Sequence, residues 1–436
     1  MTTSLDAPGH LARPGRRYSA SNKTAIAICT LVTVMEGYNL IVYGAVVPSL
    51  LADPSMGITP AAAGLVGSMV YVGMLIGAFS AGVLGDRIGR QRVLIVAIAL
   101  FLLGAVAAAM SVNAQTLSAA RILAGLGVGG AVTTALALAR GHAPQGRSTL
   151  VVTITMAGIP VGGTLASFVG MAVLPVHGWR PMFLIGAGVT AVILAVVVLV
   201  RMEQPNRGVV SQAAHTGSAI GELFTRKNII VTIVIAAAAI PNMFTWFGLN
   251  VWLTAVMSEL DYPLTSALLF SLTLTSGAIV GSFLTAWWAD RWTPERVGAL
   301  TAAVTVAGLG VVMSGVDSQV ILLAAVALMG MGGHSTMNLI NAAAANRFPE
   351  FMRGTALGWA NGISYVGALG PLTAGMLLDL GFGPHSVFAL YGTSAAIAAA
   401  AMAGFALLPK AHEPGSTDRK GPTHAQAPAL VEGMAQ

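Results

Sequence analysis

Three polar side chains recur at helical spacing inside one long apolar run. In the stretch VMEGYNLIVYG, Val34 to Gly44, the residues Glu36, Asn39 and Tyr43 stand at i, i+3 and i+7, on one face of a helix. A carboxylate at that depth costs about 2.5–3.5 kcal/mol on insertion scales, so it belongs against a polar cavity, where such groups commonly carry protons. The competing reading is a neutral acid bonded to a backbone carbonyl. Arg121 is the other strongly charged residue deep in an apolar run, and it precedes Gly125, Gly127, Gly129 and Gly130. Three roles are open to it: neutralising a bound carboxylate, pairing with Glu36, or bridging backbone carbonyls near a helix start. His334, Asn338 and Asn341 form an i, i+4, i+7 stripe; Asn242, Trp246 and Asn250 form a second, and Asn361 and Tyr365 a shorter third. The set combines one acid, one permanent cation, one histidine, several amides and aromatic surface. It suits a small amphipathic molecule with one anionic end and the movement of protons. It does not suit a polyanion, which needs several cations. No metal-ligand cluster and no nucleophile with a base stands out, so neither a catalytic residue nor a metal site is expected.

Positioning these groups requires membrane helices. Of 436 residues 56% are hydrophobic and 9% charged, with a mean hydropathy of +0.79. A soluble surface needs roughly 25% charged residues. Twelve apolar runs are each long enough to cross a bilayer, at about 24–51, 61–84, 93–112, 115–139, 148–174, 180–200, 229–257, 265–289, 297–315, 319–345, 354–378 and 385–408. The expected fold is an all-α integral membrane bundle of twelve transmembrane helices. Six run through an N-terminal lobe, 24–201, and six through a C-terminal lobe, 228–409. A polar connection, 202–227, joins the lobes, and tails, 1–23 and 410–436, flank them. The pI of 9.8 does not signal nucleic acid. Arg87, Arg90, Arg92, Arg140, Arg147, Arg201, Arg226, Lys227, Arg291, Arg296, Arg347 and Arg353 fall in alternate connections, while Asp53, Glu259, Asp261, Asp317 and Asp379 fall mainly in the others. This asymmetry places both termini in the cytoplasm. The single cysteine, Cys29, excludes a disulfide within the chain.

The halves repeat weakly. Asp86-Arg87 followed by Arg92-Val93 returns as Asp290-Arg291 followed by Arg296-Val297, 204 residues on. Parallel repeats of this kind build two-lobed secondary transporters with a midplane site between the lobes. The stretch GVLGDRIGRQR, Gly82 to Arg92, resembles the signature loop of the major facilitator superfamily. That resemblance implies that Gly82, Asp86, Arg87, Gly89 and Arg90, with Asp290 and Arg291 as the second copy, act as a conformational latch. Gly82 and Gly85 are expected to let two helices approach.

Other stretches resemble one branch of that superfamily, the aromatic acid:proton symporters. Glu36-Gly37-Tyr38-Asn39 stands where the branch carries an acidic-Gly-aromatic-Asp motif. IVYGAVVPSLL at Ile41–Leu51, HGWRPMF at His177–Phe183 and the block from Gly332 to Gly362 are similar to its benzoate-type members. The resemblance implies a proton-coupled importer of a benzoate- or hydroxybenzoate-like acid, working by alternating access in a bacterial plasma or inner membrane. It needs no cofactor beyond the proton gradient, and it functions as a monomer. Proton coupling falls to Glu36 and His334. Substrate contacts fall to Glu36, Asn39, Tyr43, Arg121, Trp246, Asn250, His334, Asn338, Asn361 and Tyr365. Two departures stand out: Asn39 replaces the second acid, and Gly362-Ile363-Ser364-Tyr365 lacks the arginine common in span eleven of the branch. GIPVGG, Gly158 to Gly163, resembles imperfectly the motif of proton-coupled exporters, and an ordinary closely packed helix is the preferred reading of it. The rival function is therefore a proton antiporter exporting a drug or metabolite. A membrane enzyme or sensor finds no supporting motif.

Overall fold

The computed structural model describes residues 18–19, 21–144, 147–202 and 221–408, with side chains omitted at Tyr18, Ser19, Asp86, Thr149 and Glu350. Apolar runs become helices because a segment in hydrocarbon must satisfy its own backbone hydrogen bonds. They are α1 (Asn22–Leu51), α2 (Pro60–Ile88), α3 (Arg90–Ala109), α4 (Ala114–Gly141), α5 (Ser148–His177), α6 (Arg180–Leu199), α7 (Ile229–Glu259), α8 (Leu264–Arg291), α9 (Pro294–Met313), α10 (Gln319–Arg347), α11 (Arg353–Ser364), α12 (Leu369–Asp379) and α13 (Pro384–Leu407). Among the described residues, eleven helices are each long and apolar enough to cross a membrane. The twelfth stretch is broken: α11 and α12 are separated by a 3-10 turn, Tyr365–Ala368. Pro371 explains the break. It lacks an N–H, and its ring crowds the carbonyl four residues back, at Gly367, so the turn tightens there. The expected tails and connection lie largely outside the described residues. Where the N-terminal segment is described, Tyr18–Ser19 (β1) pairs in parallel with Val200–Arg201 (β2), just beyond α6.

Helices associate in hydrocarbon through small residues that let backbones approach. A Cβ on Gly73 or Gly77 of α2 would strike the carbonyls of Ile122 and Leu126 on α4, and one on Gly125 or Gly129 of α4 would strike those of Val70 and Met74. The same ladder returns between α8 and α10, where Gly277 meets Ala327, Gly281 meets Met331 and Gly330 meets Leu274. Each rung lies 204 or 205 residues after its counterpart. Gly158 and Gly162 of the GIPVGG stretch pack against Thr33 and the Val34 carbonyl of α1, so that stretch does structural work there.

The first six helices pack mainly on one another, as do α7 to α13. The two halves meet through α1 with α7, α2 with α12 and α5 with α8. Gly44 abuts the Asn250 carbonyl and Gly64 abuts that of Pro371. Ser68 donates to the Ala368 carbonyl at 2.6 Å, and Thr164 donates to Thr275 at 3.1 Å. These contacts lie in the half of the bundle away from the arginine-rich connections, or at mid-helix. Gly82 corrects an expectation: a Cβ there would meet open space, and one on Gly85 only the Arg90 side chain. No helix approaches at those glycines, because the halves are held together at the opposite end.

Candidate functional site

Arg121 lies two turns inside α4, whose start is fixed by a capping box of Asn113 and Thr116. Its Nη1 donates to both the backbone and side-chain oxygens of Asn39, each at 3.1 Å. Its guanidinium lies 5.1 Å from the centroid of the Tyr43 ring. Tyr43 is held in turn by α2, since its hydroxyl donates to the Ala63 carbonyl at 2.7 Å. Arg121 is 1% exposed, and among the described residues no carboxylate pairs with it. Its Nε and the amide nitrogen of Asn39 are buried donors with no partner. Removing a cation from water costs several kcal/mol unless an anion compensates it. The arrangement is thus a buried permanent charge with two buried donors unpartnered among the described residues, chemistry that accepts a carboxylate.

Glu36, one turn before Asn39, is buried at the edge of an apolar cavity about the size of one water molecule. Ile98 and Phe101 of α3, Val128 of α4 and Thr190 of α6 help to line that cavity. The Oε2 atom has no partner, and no Glu36–Arg121 pair forms. Tyr71 of α2 and Tyr365 lie within electrostatic range of this carboxylate, and Tyr71 also lies within range of Arg121. Tyr71 is a residue that sequence reasoning missed. It stacks on Phe247 of α7, with centroids 3.8 Å apart and planes 23° from parallel, and so bridges the halves. Its signal was available: a tyrosine in the middle of an apolar run with Gly67 and Gly73 nearby.

The second half supplies Trp246 and His334, whose rings lie 5.4 Å apart. Asn250 donates to the Trp246 carbonyl at 2.6 Å, leaving its Oδ1 buried and unpartnered. Asn242 donates to the Gly333 carbonyl at 3.1 Å, tying α7 to α10. Asn338 is exposed. Asn341 and Asn361 exchange amide hydrogen bonds at 3.2 and 3.1 Å, nearer the arginine-rich end. Tyr365 sits at the break between α11 and α12. The structure therefore brings Glu36, Asn39, Tyr43 and Arg121 into one cluster and Trp246, Asn250 and His334 into another, with Tyr71, Phe247 and Tyr365 between them. Asn338 and Asn361 stand apart.

At the latch, Gly89 joins α2 to α3 with φ +94°, a backbone conformation that side chains strain to adopt. Arg87 is exposed, Arg90 is engaged, and the Asp86 side chain lies outside the described residues. Asp290 is exposed, and Arg291 lies over the Trp287 ring, 3.6 Å from its centroid. The firm contacts at this end come from residues the motif does not flag. Gln91 donates to the carbonyls of Val197 and Val200 at 2.9 and 2.7 Å and accepts from Met202 N. Its counterpart 204 residues on, Glu295, pairs with Arg347 at 2.9 Å. Arg347 also donates to the carbonyls of Leu408 and Phe405. Each half thus clasps the end of its last helix with the same repeat position.

Two repeated helical halves that meet at one end and bury charged side chains between their helices have the architecture of a two-lobed membrane transporter. The chain belongs to the major facilitator superfamily, whose family model matches residues 27–371 and again 275–432. It is similar to a gentisate transporter of Corynebacterium glutamicum, 31% identical over 404 residues and 90% of each chain. It is also similar to a benzoate transport protein of Acinetobacter baylyi, 29% identical over 83% of this chain and 84% of that one. A gallate transporter of Pseudomonas putida is 30% identical over 86% of this chain and 90% of that one. Among solved structures, a D-xylose-proton symporter superposes with a TM-score of 0.74 at 20% identity, covering 89% of this chain and 99% of that one. That likeness speaks to the fold.

Proposed function

We propose that this transporter imports a small aromatic carboxylate together with protons. The observation that carries the reading is Arg121, buried, with no carboxylate partner among the described residues, and with its own Nε and the amide nitrogen of its partner Asn39 unused. A substrate carboxylate completes that pocket, while Trp246, Phe247, Tyr71 and Tyr365 offer surface to an aromatic ring. The replacement of the branch's second acid by Asn39 fits the same logic. An amide leaves the arginine's charge unspent, so the carboxylate is read here and not by an arginine in span eleven. Relatives that carry gentisate, benzoate and gallate support the substrate class. Glu36, with His334 across the interior, serves as the proton site in this reading. Gly82, Asp86, Arg87, Gly89, Arg90, Asp290 and Arg291 govern the exchange between the two access states. With both termini cytoplasmic, as the charge asymmetry implies, the halves are closed toward the outside and open inward. The two lobes, 24–201 and 228–409, move as units in one chain in the inner membrane. Gly158 and Gly162 of GIPVGG pack α5 on α1 and Gly163 also meets Thr275 of α8, which fits the closely packed helix preferred for that stretch; the proton antiporter is the alternative function.

The test is uptake into proteoliposomes of the full chain. Labelled benzoate or gentisate should accumulate above equilibrium when the outside is acid, and a protonophore should abolish the excess. Extrusion of label under the reversed gradient, with no uptake of either acid, would overturn the reading.

A further inference from the structure

Six of the seven tryptophans divide into two kinds. Trp179, Trp252 and Trp359 each donate the indole N–H to a protein acceptor: Asp53, the Pro371 carbonyl and the Thr232 carbonyl. Trp287, Trp288 and Trp292 have no such acceptor among the described residues, and they are 53, 41 and 65% exposed. A tryptophan that keeps a free N–H at the protein surface suits the membrane–water boundary, where one end of the ring is dry and the other wet.

These three rings are not spread around the bundle as a belt. Spacings of four residues, Trp287 to Arg291 and Trp288 to the capping residue Trp292, gather them at the C-terminal end of α8. With Leu300 of α9 they line an open cavity of about 310 Å³. Arg291 enters it as the cation, 3.6 Å from the Trp287 centroid. Among the described residues it donates to the Trp287 carbonyl at 3.4 Å, a long contact that leaves most of its donors free for an anion. Asp290 and Arg296 are exposed close by, so the local charge remains positive. Toward the middle of the bilayer the exposed side chains of Leu284, Phe283 and Val280 continue the same face of α8.

We propose that Trp287, Trp288, Arg291 and Trp292, with Leu300, form a binding site for an anionic phospholipid. Its phosphate rests on the Arg291 guanidinium and the free indole N–H groups, and one acyl chain lies along Leu284, Phe283 and Val280. A soluble anion lacks the chain that fills the apolar part of the cavity. A zwitterionic lipid brings its own cation into competition with Arg291. Charge complementarity therefore selects the anionic headgroup.

The experiment is native mass spectrometry of the full chain released from nanodiscs containing equal phosphatidylglycerol and phosphatidylcholine. The wild type should retain phosphatidylglycerol preferentially. Arg291→Gln should lower that retention about fivefold, the loss of one cation's pull on an anionic lipid. Trp288→Leu should lower it for both lipids, and Arg140→Gln, an exposed arginine at the same end on α4, should leave it unchanged. Glycerol phosphate at millimolar concentration should fail to displace the lipid. Equal retention by wild type and Arg291→Gln, or no preference between the two lipids, overturns the site. Displacement by glycerol phosphate overturns the lipid assignment in favour of a soluble anion.

Discussion

Replacing Arg121 by lysine keeps the charge and removes the shape. Arginine here spends Nη1 on the two oxygens of Asn39, rests against the Tyr43 ring, and keeps Nε in reserve next to the unused Asn39 amide. A lysine ammonium has three donors and no planar fork. Two of them satisfy Asn39, and a bound carboxylate then receives a single charged hydrogen bond in place of a pair. One charge-assisted hydrogen bond contributes about 1.5–3 kcal/mol. At about 1.4 kcal/mol per factor of ten, benzoate should bind Arg121→Lys roughly ten- to a hundredfold more weakly. The uncharged analogue benzamide presents no anion, so its affinity should change by less than about twofold. The assay is calorimetric titration of the purified full-chain variant with both ligands, preceded by a thermal unfolding scan that confirms folding. Equal losses for acid and amide refute the reasoning, because they would mean that Arg121 shapes the pocket without reading the carboxylate.

Four further outcomes are expected. Glu36→Gln should lose gradient-driven accumulation while retaining counterflow exchange of labelled acid; full accumulation would remove Glu36 from coupling. Asn39→Asp sets a carboxylate against Arg121, so acid affinity should fall by more than about tenfold while benzamide affinity is retained; titration checks both. Gly44→Ala puts a methyl into the Asn250 carbonyl, so the halves cannot close at that end. Labelling of a cysteine introduced as Val251→Cys in a Cys29→Ser background should then rise from the outer side, and unchanged labelling would contradict the closure. Asp53 has its carboxyl held below the usual aspartate range, chiefly by the Ser55 hydroxyl, then by the Trp179 indole. A lowered value in the folded state gives stability that is present above the unfolded value and lost as the pH falls through the folded one. Asp53→Asn should lower Tm at neutral pH, and the two proteins should converge below about pH 4.

The spans were legible because hydropathy is a property of segments, and each observed helix begins and ends within a few residues of its apolar run. The break before Leu369 was legible in principle from Pro371 and its neighbouring glycines, yet hydropathy averages over it. The site was legible only in part. Glu36 and Arg121 stand out singly because charge in an apolar run is conspicuous. The partner of Arg121 does not, since the Arg121–Asn39 bond closes across 82 residues and nothing local requires it. Tyr71 and Phe247 carry no charge to draw notice, and their stack depends on how the halves dock. The Gln91 and Glu295 clasps were within reach of the same 204-residue offset that ties Asp86 to Asp290. The glycine rungs obey that offset too. Both follow the repeat because packing, unlike chemistry, is needed twice.

That contrast has a practical side. Carried 204 residues on, Gly73 and Gly77 arrive at Gly277 and Gly281 but Glu36 arrives at Ile240 and Asn39 at Met243; carried 205 on, Gly125 arrives at Gly330 but Arg121 at Val326. One framework was kept in duplicate while the carboxylate and the guanidinium were installed on a single side. A designer who wants a new ring preference can therefore recarve α7 and α10 around Trp246 and His334. The parts in α1 and α4 that bear the acid and the guanidinium need not be disturbed, and each side can be varied and selected on its own.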